Sequence, residues 1–326
     1  MQDEIRNRLL GMALVNVATF VWATNMVLGR ALRGVIGPVT LSAGRFVVAS
    51  LVFWLLLRRR SPVERRLGRD WKYLVGMALT GGVLFMPTLY LGVRYTTAVN
   101  ATLINAMGPL LTGLWAALLI REPMTRRQLV AALIALGGVA WLIAGGSPRF
   151  WEEVSVNIGD LITLAAVAMW GIYSVFSRVV TKERSVLSAT ALSGFLAVPW
   201  LIVGAVGESM VLPPRWESYL LPAVVYIGLF PTVIGFLAWN EGVRRLGPGG
   251  AMVFYNMLPV YGALLGTLLL REPFGWAHVV GGTLIIGAGV WAGLGGKRGA
   301  RAARKIATHH PASSTQLPVD NPECKP

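Results

Sequence analysis

Two asparagines stand about one helical turn before a proline, each inside a long apolar stretch. Asn105 precedes Pro109 by four residues, and Asn256 precedes Pro259 by three. A proline inside a helix removes one backbone hydrogen bond, and lipid tolerates this only where protein or a water-lined cavity satisfies the backbone. We therefore predict that Pro109 and Pro259 kink their helices and that both asparagines bind the polar end of a small solute. The alternative is a structural kink with the asparagines bonded to neighbouring helices.

Aromatic and amide side chains of other apolar stretches extend this candidate substrate site. Thr19, Trp22 and Asn25 are spaced three apart and therefore share one helix face. Polar side chains within apolar stretches normally face the interior of a helix bundle. The predicted substrate-binding set is Thr19, Trp22, Asn25, Tyr90, Asn105, Trp170, Tyr173, Trp239, Asn240, Tyr255 and Asn256. Core packing by the same side chains is the alternative.

The elements that must position these residues are duplicated. Residues 118–123, LLIREP, return as LLLREP at residues 268–273, which lie 150 positions later. The chain is therefore one unit written twice. We place the first repeat at 9–145 and the second at 159–295, followed by a tail at 296–326.

The composition places both repeats in lipid. Hydrophobic residues make up 55% of the 326-residue chain and charged residues 14%, and the mean hydropathy is +0.60. Ten apolar runs each approach the roughly 20 residues that cross a bilayer. They cover residues 9–29, 38–57, 72–93, 97–120, 127–145, 159–178, 186–206, 219–242, 249–270 and 277–295. We predict an all-α integral membrane protein of ten transmembrane helices, in two inverted-topology repeats of five.

The inversion follows from the odd number of helices in each repeat, which makes the two repeats enter the membrane from opposite sides. One set of loops, together with the start of the chain and the segment after the last span, carries 22 lysines and arginines, against six in the other set. Basic loops stay in the cytoplasm. We expect a multi-pass protein of the inner (plasma) membrane with cytoplasmic termini. The tail at 296–326 is basic, then polar and proline-rich, which predicts a disordered cytoplasmic segment whose basic part anchors the topology or contacts anionic lipid.

Short motifs recur in an order that is typical of one family. The first helix of each repeat has a tryptophan and a closing arginine, in WATNMVLGR and WGIYSVFSR, and the second helix carries the pair Arg45-Phe46. A proline in the fourth helix and a closing Glu-Pro follow. Over residues 9 to 295 the chain resembles the EamA-type domain of the ten-helix branch of the drug/metabolite transporter superfamily. The resemblance implies an alternating-access transporter, most often an exporter of amino acids or related metabolites. The second repeat lacks the Arg-Phe pair, so any role of Arg45 is one-sided.

Charged residues within the predicted spans narrow the choice of solute. Among the acidic residues we expect only Glu241 within a span, paired with Arg244 or Arg245, so the central carboxylate that small multidrug pumps need is missing. Among the basic residues only Arg45 is intramembrane. We expect it to snorkel to the outer interface, with binding of a substrate carboxylate as the alternative. An uncharged, aromatic-lined cavity fits neutral or zwitterionic solutes, aromatic or large neutral amino acids first. Drugs or cations and phosphorylated sugars are the alternative substrates.

Other functions and partners find less support. The net charge of +15 lies in short clusters between apolar runs, so we expect no nucleic-acid partner. Cys324 and three histidines form no metal set, so we expect no metal and no cofactor. An enzyme would need a nucleophile, metal set or paired carboxylates near one interface, which the sequence does not show. Small-molecule substrate and membrane lipid are the expected partners. Glycines are dense in the fifth and tenth predicted helices, at Gly137, Gly138, Gly281, Gly282, Gly287, Gly289 and Gly293. They predict close packing of these two helices within a monomer, with a homodimer as the alternative.

Overall fold

Helices make up the regular structure of this protein. The computed structural model describes residues 2–122, 124–146, 157–246, 254–255 and 257–291, and these residues form no strand. A helix lies at each of the ten predicted spans. In chain order the helices are α1 (Gln2–Ala31), α2 (Pro38–Leu57), α3 (Trp71–Tyr95), α4a (Ala98–Asn105), α4b (Gly108–Leu119), α5 (Arg126–Ile143), α6 (Ile158–Val180), α7 (Val186–Val211), α8 (Leu220–Gly242, helical onward to Leu246), α9 (Met257–Leu270) and α10 (Trp276–Trp291). The predicted tail at 296–326 lies outside the described residues.

The lengths and surfaces of these helices are those of a membrane protein. Six of them, α1, α2, α3, α6, α7 and α8, are long and apolar enough to cross a bilayer, and the bent pair α4a and α4b makes a seventh span. Helices α9 and α10 are shorter and also apolar. Large apolar side chains point outward, among them Trp200, which is 64% exposed, and Leu268, which is 68% exposed. Lipid is the solvent in which such a surface is stable.

The helices pack in pairs that join one repeat to the other. Helix α1 packs along α8, and its counterpart α6 packs along α3. Helix α1 also contacts α9, just as α6 contacts α4b, while α2 packs on α7 and α4a on α9. Each of these contacts crosses between the repeats. The core of the molecule is therefore an interface between two related halves.

Glycines let several of these helices cross at short range. A Cβ atom on Gly159 of α6 would lie 2.5 Å from the backbone nitrogen of Thr96, at the end of α3. A Cβ atom on Gly138 of α5 would lie 2.9 Å from the carbonyl oxygen of Gly281 in α10. The predicted close packing of the fifth and tenth helices through glycine is thus confirmed within one chain.

The repeated Arg-Glu-Pro motif ends α4b and α9 in the same way. Arg121 and Arg271 have φ angles of 56° and 55°, in the left-handed region that few non-glycine residues adopt. The next N–H group, of Glu122 or Glu272, reaches back to a carbonyl six residues earlier at 3.2 Å. This hydrogen bond spans one residue more than that of a Schellman helix terminus, which reaches back five residues. The motif therefore turns the chain sharply and places a glutamate directly behind each helix.

Helices α3 and α8 each contain a π-helical segment, Ala78–Phe85 and Gly228–Ile234. The two segments begin 150 residues apart, at equivalent positions of the repeats. Pro231 lies inside the second segment, where its missing N–H favours a departure from the α-helical ladder. Its carbonyl oxygen accepts a hydrogen bond of 3.0 Å from the indole of Trp22. Segments of this kind are frequent at functional sites, and these two lie beside the cavities described next.

Candidate substrate site

A cavity of about 40 Å³ lies between the two repeats. The side chains around it come from both: Trp22, Asn25, Met26, Arg45, Phe85, Met86, Leu89 and Asn105 from the first repeat, and Trp170, Phe236 and Tyr255 from the second. A space of this size admits a few water molecules. An amino acid is larger, so the cavity must widen before it holds one. We call this space the first cavity.

A second cavity, of about 30 Å³, adjoins the first. Four side chains line both cavities and so form the partition between them: Arg45, Met86, Trp170 and Phe236. Tyr173 and Thr232 line the second cavity, and the glycines Gly81 and Gly82 of the π-helical segment of α3 are part of its wall. Movement of the partition would join the two spaces into one larger site.

Aromatic rings form a continuous series along these cavities. The ring centroid of Trp22 lies 5.5 Å from that of Trp239 and 5.9 Å from that of Phe236. Phe236 lies 6.0 Å from Trp170, which stacks on Tyr173 at 4.8 Å. The ring of Tyr255 lies 6.3 Å from Trp22 and 5.6 Å from Trp239, so the structure brings together five of the predicted aromatic residues. Trp239 packs behind Trp22 and lines neither cavity.

Arg45 lies at the centre of the site, with a residue exposure of 1%. Its Nε and Nη2 atoms donate to Thr232 Oγ1 at 3.0 and 2.7 Å, and its Nη1 atom donates to the Tyr90 hydroxyl at 3.0 Å. The expectation that Arg45 snorkels to the outer interface is therefore wrong, because α3 and α8 offer acceptors that hold the guanidinium inside. The expectation of an uncharged cavity is wrong for the same reason.

Neutral groups surround this guanidinium. The Tyr90 hydroxyl, which accepts from Arg45, itself donates to Asn25 Oδ1 at 2.7 Å. Nη1 of Arg45 lies 3.5 Å from Asn25 Oδ1 and 2.7 Å from Met86 Sδ. In the part of the chain that the structure describes, no carboxylate pairs with Arg45. The charge of Arg45 is held in place by this network without being neutralised.

Asn105 lines the first cavity from the end of α4a and is 6% exposed. Its Oδ1 atom is buried and accepts no hydrogen bond from the described residues. Its counterpart 150 residues later, Tyr255, lines the same cavity.

Immediately after Asn105 the chain bends by 41° between α4a and α4b. Pro109 lies in the first turn of α4b, where the missing N–H of a proline costs no helical bond. Pro259 lies in the first turn of the described part of α9.

Thr19, Tyr90 and Asn240 line neither cavity. Thr19 is fully buried and donates to the Val15 carbonyl of its own helix at 3.1 Å. Tyr90 acts on the site through Arg45, and Asn240 is half-buried. Asn256 lies outside the described residues.

Several residues at the cavities were not predicted from the sequence. Phe85 and Met86 lie at the end of the π-helical segment of α3, and Thr232 lies in that of α8. The proline next to each position, Pro87 or Pro231, is the sequence signal that could have drawn attention to them. Phe236 carries no such signal, because it is one phenylalanine among many in apolar spans.

The acidic residues also differ from expectation. Asp160 lies in the first turn of α6, within a predicted span, and is 1% exposed. Thr96 and Asn100 donate hydrogen bonds to its carboxylate. The expectation that only Glu241 lies within a span is therefore wrong. The predicted pairing of Glu241 is confirmed for Arg245, whose Nη2 atom lies 2.6 Å from the carboxylate.

Two ion pairs join the repeats at equivalent places. Arg30 at the end of α1 lies 3.7 Å from Glu272, and its counterpart Arg178 of α6 lies 2.6 Å from Glu122. The pairs differ in burial, because the side chains of Arg30 and Glu272 are 18% and 7% exposed, whereas those of Arg178 and Glu122 are 60% and 44% exposed. Glu272 also accepts hydrogen bonds from the first two N–H groups of α4a, at 2.9 and 3.1 Å.

This fold and this central site are those of a multi-pass membrane transporter built from two repeats. Two stretches of the chain, residues 9–144 and 157–292, match the model of the EamA-like transporter family. The chain belongs to the EamA-like transporter family, and the resemblance of its motifs is thereby confirmed. The chain is thus a transporter and not an enzyme.

Known proteins of similar sequence cover most of the chain. The "Uncharacterized transporter YyaM" of Bacillus subtilis is 27% identical over 280 residues, which are 85% of this chain and 90% of that protein. A "Probable terminal-alkyne amino-acid exporter" of Streptantibioticus cattleyicolor is 26% identical over 78% of this chain and 83% of its own length. A "Probable biotin transporter" of Pseudomonas aeruginosa is 26% identical over 87% of this chain and 98% of its own.

The fold is also similar to that of a solved crystal structure. The two chains superpose with a TM-score of 0.60 at 24% sequence identity, over 88% of this chain and 98% of the other. The arrangement of helices described above is therefore one that a protein chain adopts in a crystal.

Proposed function

We propose that this transporter exports small neutral or zwitterionic metabolites, amino acids above all, through the cavity between its repeats. The observation that carries the proposal is the first cavity itself, which both repeats line and which aromatic rings and amides surround. Indoles and phenols offer apolar faces to aromatic or large neutral side chains. The amide groups of Asn25 and Asn105 offer hydrogen bonds to the polar end of the solute.

Alternating access is the mechanism that we propose for this passage. The cavity is too small for an amino acid in the arrangement described here, and its walls belong to two halves that contact each other throughout. Movement of one half against the other would widen the site and open it to one face of the membrane at a time. The bend of 41° after Asn105 supplies a place where the backbone can adjust.

The other substrate classes fit the cavities less well. A drug or cation transporter needs a carboxylate at the site, and no acidic side chain lines either of the two cavities. A transporter of phosphorylated sugars needs several basic groups, whereas Arg45 alone lines them. An amino-acid substrate also agrees with the name of the Streptantibioticus relative.

Transport in proteoliposomes tests the proposal. We expect saturable efflux of labelled phenylalanine or leucine from vesicles that contain the purified chain. Trp170→Ala should lower the apparent affinity about tenfold, because the variant loses an aromatic wall shared by both cavities. Trp200→Ala, on the exposed face of α7, is the matched control and should transport like the wild type. Equal losses in both variants, or no saturable flux of any amino acid, would contradict the proposal.

The orientation in the inner membrane is part of this proposal, as is a monomeric state. Cys324 is the single cysteine of the sequence and lies in the tail. A membrane-impermeant thiol reagent should therefore leave intact cells unlabelled and label inverted membrane vesicles. Labelling of intact cells would place the C terminus outside. Cross-linking in native membranes should yield the monomer, and a cross-linked dimer would overturn the monomeric state.

A further inference from the structure

Arg45 carries a buried charge with donor capacity to spare. A guanidinium has five N–H groups. Nε and one hydrogen of Nη2 go to Thr232, and Nη1 serves Tyr90, Met86 and Asn25. The second hydrogen of Nη2 meets no acceptor among the described residues. An isolated charge at the depth of a membrane span is costly, and its presence there points to a functional role.

The environment of Arg45 holds the guanidinium at the cavities. Thr232 Oγ1 accepts from two of its nitrogens and donates its own hydrogen to the Ile227 carbonyl at 2.9 Å. Arg45 belongs to α2 of the first repeat, but Thr232 of the second repeat fixes the orientation of its guanidinium. A preorganised cation that borders both cavities is a binding site for an anionic group, and a carboxylate matches its planar fork.

Asn105 supplies an acceptor at the same cavity. Its Oδ1 atom is buried and unpaired among the described residues. A buried acceptor without a partner is destabilising, so a donor from a ligand would relieve that cost. Arg45 and Asn105 line the same cavity, so a single solute that widens it contacts both walls. The rings of Trp22 and Trp170, which also line it, can face a cation.

We propose that the site binds the two charged groups of an α-amino acid separately, with Arg45 on the carboxylate and Asn105 Oδ1 on the ammonium group. This inference rests on the proposed function and narrows its substrates to solutes that carry a carboxylate. The carboxylate contributes more to the affinity, because it pairs with a buried charge whereas the ammonium meets a neutral oxygen. Amines and amides of amino acids are therefore poor ligands, and hydroxy acids are intermediate ones.

Binding to the purified full-length chain tests this, with dissociation constants taken from ligand-dependent thermal stabilisation. The probes are L-phenylalanine, L-phenylalaninamide, which lacks the carboxylate, and L-phenyllactate, which lacks the ammonium group. We expect phenylalanine to bind at least about 30-fold more tightly than its amide, the low end for a buried charge pair. In Arg45→Gln this ratio should fall to about threefold or less. Arg45→Lys should keep most of it, and Asn105→Leu should reduce only the ratio of phenylalanine to phenyllactate.

Arg126→Gln is the matched control, since it makes the same substitution at an exposed position away from the cavities. This control should keep the wild-type ratios. If Arg45→Gln does not fold, the dissociation constants of the wild type and of Arg45→Lys for the three probes still test the inference. Equal affinity of the wild type for phenylalanine and its amide, or binding of no carboxylate in the panel, overturns the inference. Carboxylate binding without vesicle flux would uphold the inference and refute the proposed transport. Vesicle flux without a preference for a carboxylate would support the proposed transport and overturn the inference.

Discussion

Thr232 of the second repeat accepts two hydrogen bonds from Arg45 of the first, at 3.0 and 2.7 Å. The contact links α2 to the π-helical segment of α8. It also fixes the guanidinium between the two cavities, which Arg45 lines. The π-helical segment of α8 is therefore part of the proposed substrate site.

Removal of this acceptor should weaken binding. Thr232→Val keeps the shape of the side chain but leaves Nε and Nη2 of Arg45 without their acceptor. We expect about a tenfold higher KM for amino-acid efflux at a nearly unchanged kcat, since a hydrogen bond to a charged group is worth about 1.5 kcal/mol or more. Thr232→Ser retains the hydroxyl and should behave like the wild type. A loss in kcat alone would argue against a positioning role.

The two ion pairs between the repeats should differ in their effect on stability. Glu272→Gln removes a buried carboxylate that pairs with Arg30 and caps α4a, and we expect a loss of about 2–3 kcal/mol in the free energy of unfolding. Glu122→Gln makes the equivalent change in a largely exposed pair, which is worth less than about 1 kcal/mol. Thermal unfolding of both variants in the same detergent compares them, and a larger loss for Glu122→Gln would contradict this difference.

Two adjacent glycines of α5 offer a test of helix packing. Gly138→Ala would place its Cβ atom 2.9 Å from the Gly281 carbonyl of α10, and such overpacking costs about 1–3 kcal/mol. A Cβ atom on Gly137 meets no other atom within 4 Å. Gly137→Ala should therefore be neutral or stabilising by up to about 1 kcal/mol through helix propensity. Equal melting temperatures for the two variants would show that α5 and α10 do not pack as described.

The pH dependence of stability should reflect an ion pair outside the spans. Arg184 donates two hydrogen bonds, at 2.8 and 3.0 Å, to the carboxylate of Asp70, and these lower the pKa of Asp70. A lowered folded-state pKa adds stability above the unfolded value of about 3.9, and this stability is lost as the pH falls through the folded pKa. Asp70→Asn should therefore cost about 1 kcal/mol at neutral pH.

The difference between Asp70→Asn and the wild type should disappear at the acid end of a pH series of melting temperatures, once the pH lies below the lowered pKa of Asp70. Glu183→Gln, in the same loop as Arg184, is a suitable control. Its melting temperature should change with pH as that of the wild type does. A difference between Asp70→Asn and the wild type that persists unchanged in acid would exclude titration of Asp70 as its cause.

The sequence predicted the helices and much of the site because both depend on patterns along the chain. Apolar runs located the spans, and the duplication placed Trp22 and Trp170 at equivalent positions that both reach the first cavity. Asn105 was found through the proline that follows it. In each of these cases the residues that form the pattern stand close together in the sequence or at equivalent positions of the two repeats.

The direction of Arg45 was not predictable in this way. Its acceptors, Thr232 and Tyr90, lie 187 and 45 residues away in the sequence. Whether an arginine snorkels or turns inward depends on such partners and not on the hydropathy of its own helix. The π-helical segments escaped prediction because their only local signals are the prolines Pro87 and Pro231, which do not by themselves distinguish a π-helical segment from a kinked α-helix. Asp160 was overlooked although it lies inside a predicted span, because it stands near the start of the helix.

The central claim is that a solute passes through the first cavity and that this cavity opens to each face of the membrane in turn. The most direct measurement is the labelling of Asn105→Cys, in a Cys324→Ser background, by a membrane-impermeant thiol reagent added to either side of sealed vesicles. We predict labelling from both sides, slowed from both by a transported amino acid. Labelling from neither side, or from one side at a rate that the amino acid leaves unchanged, would contradict the account.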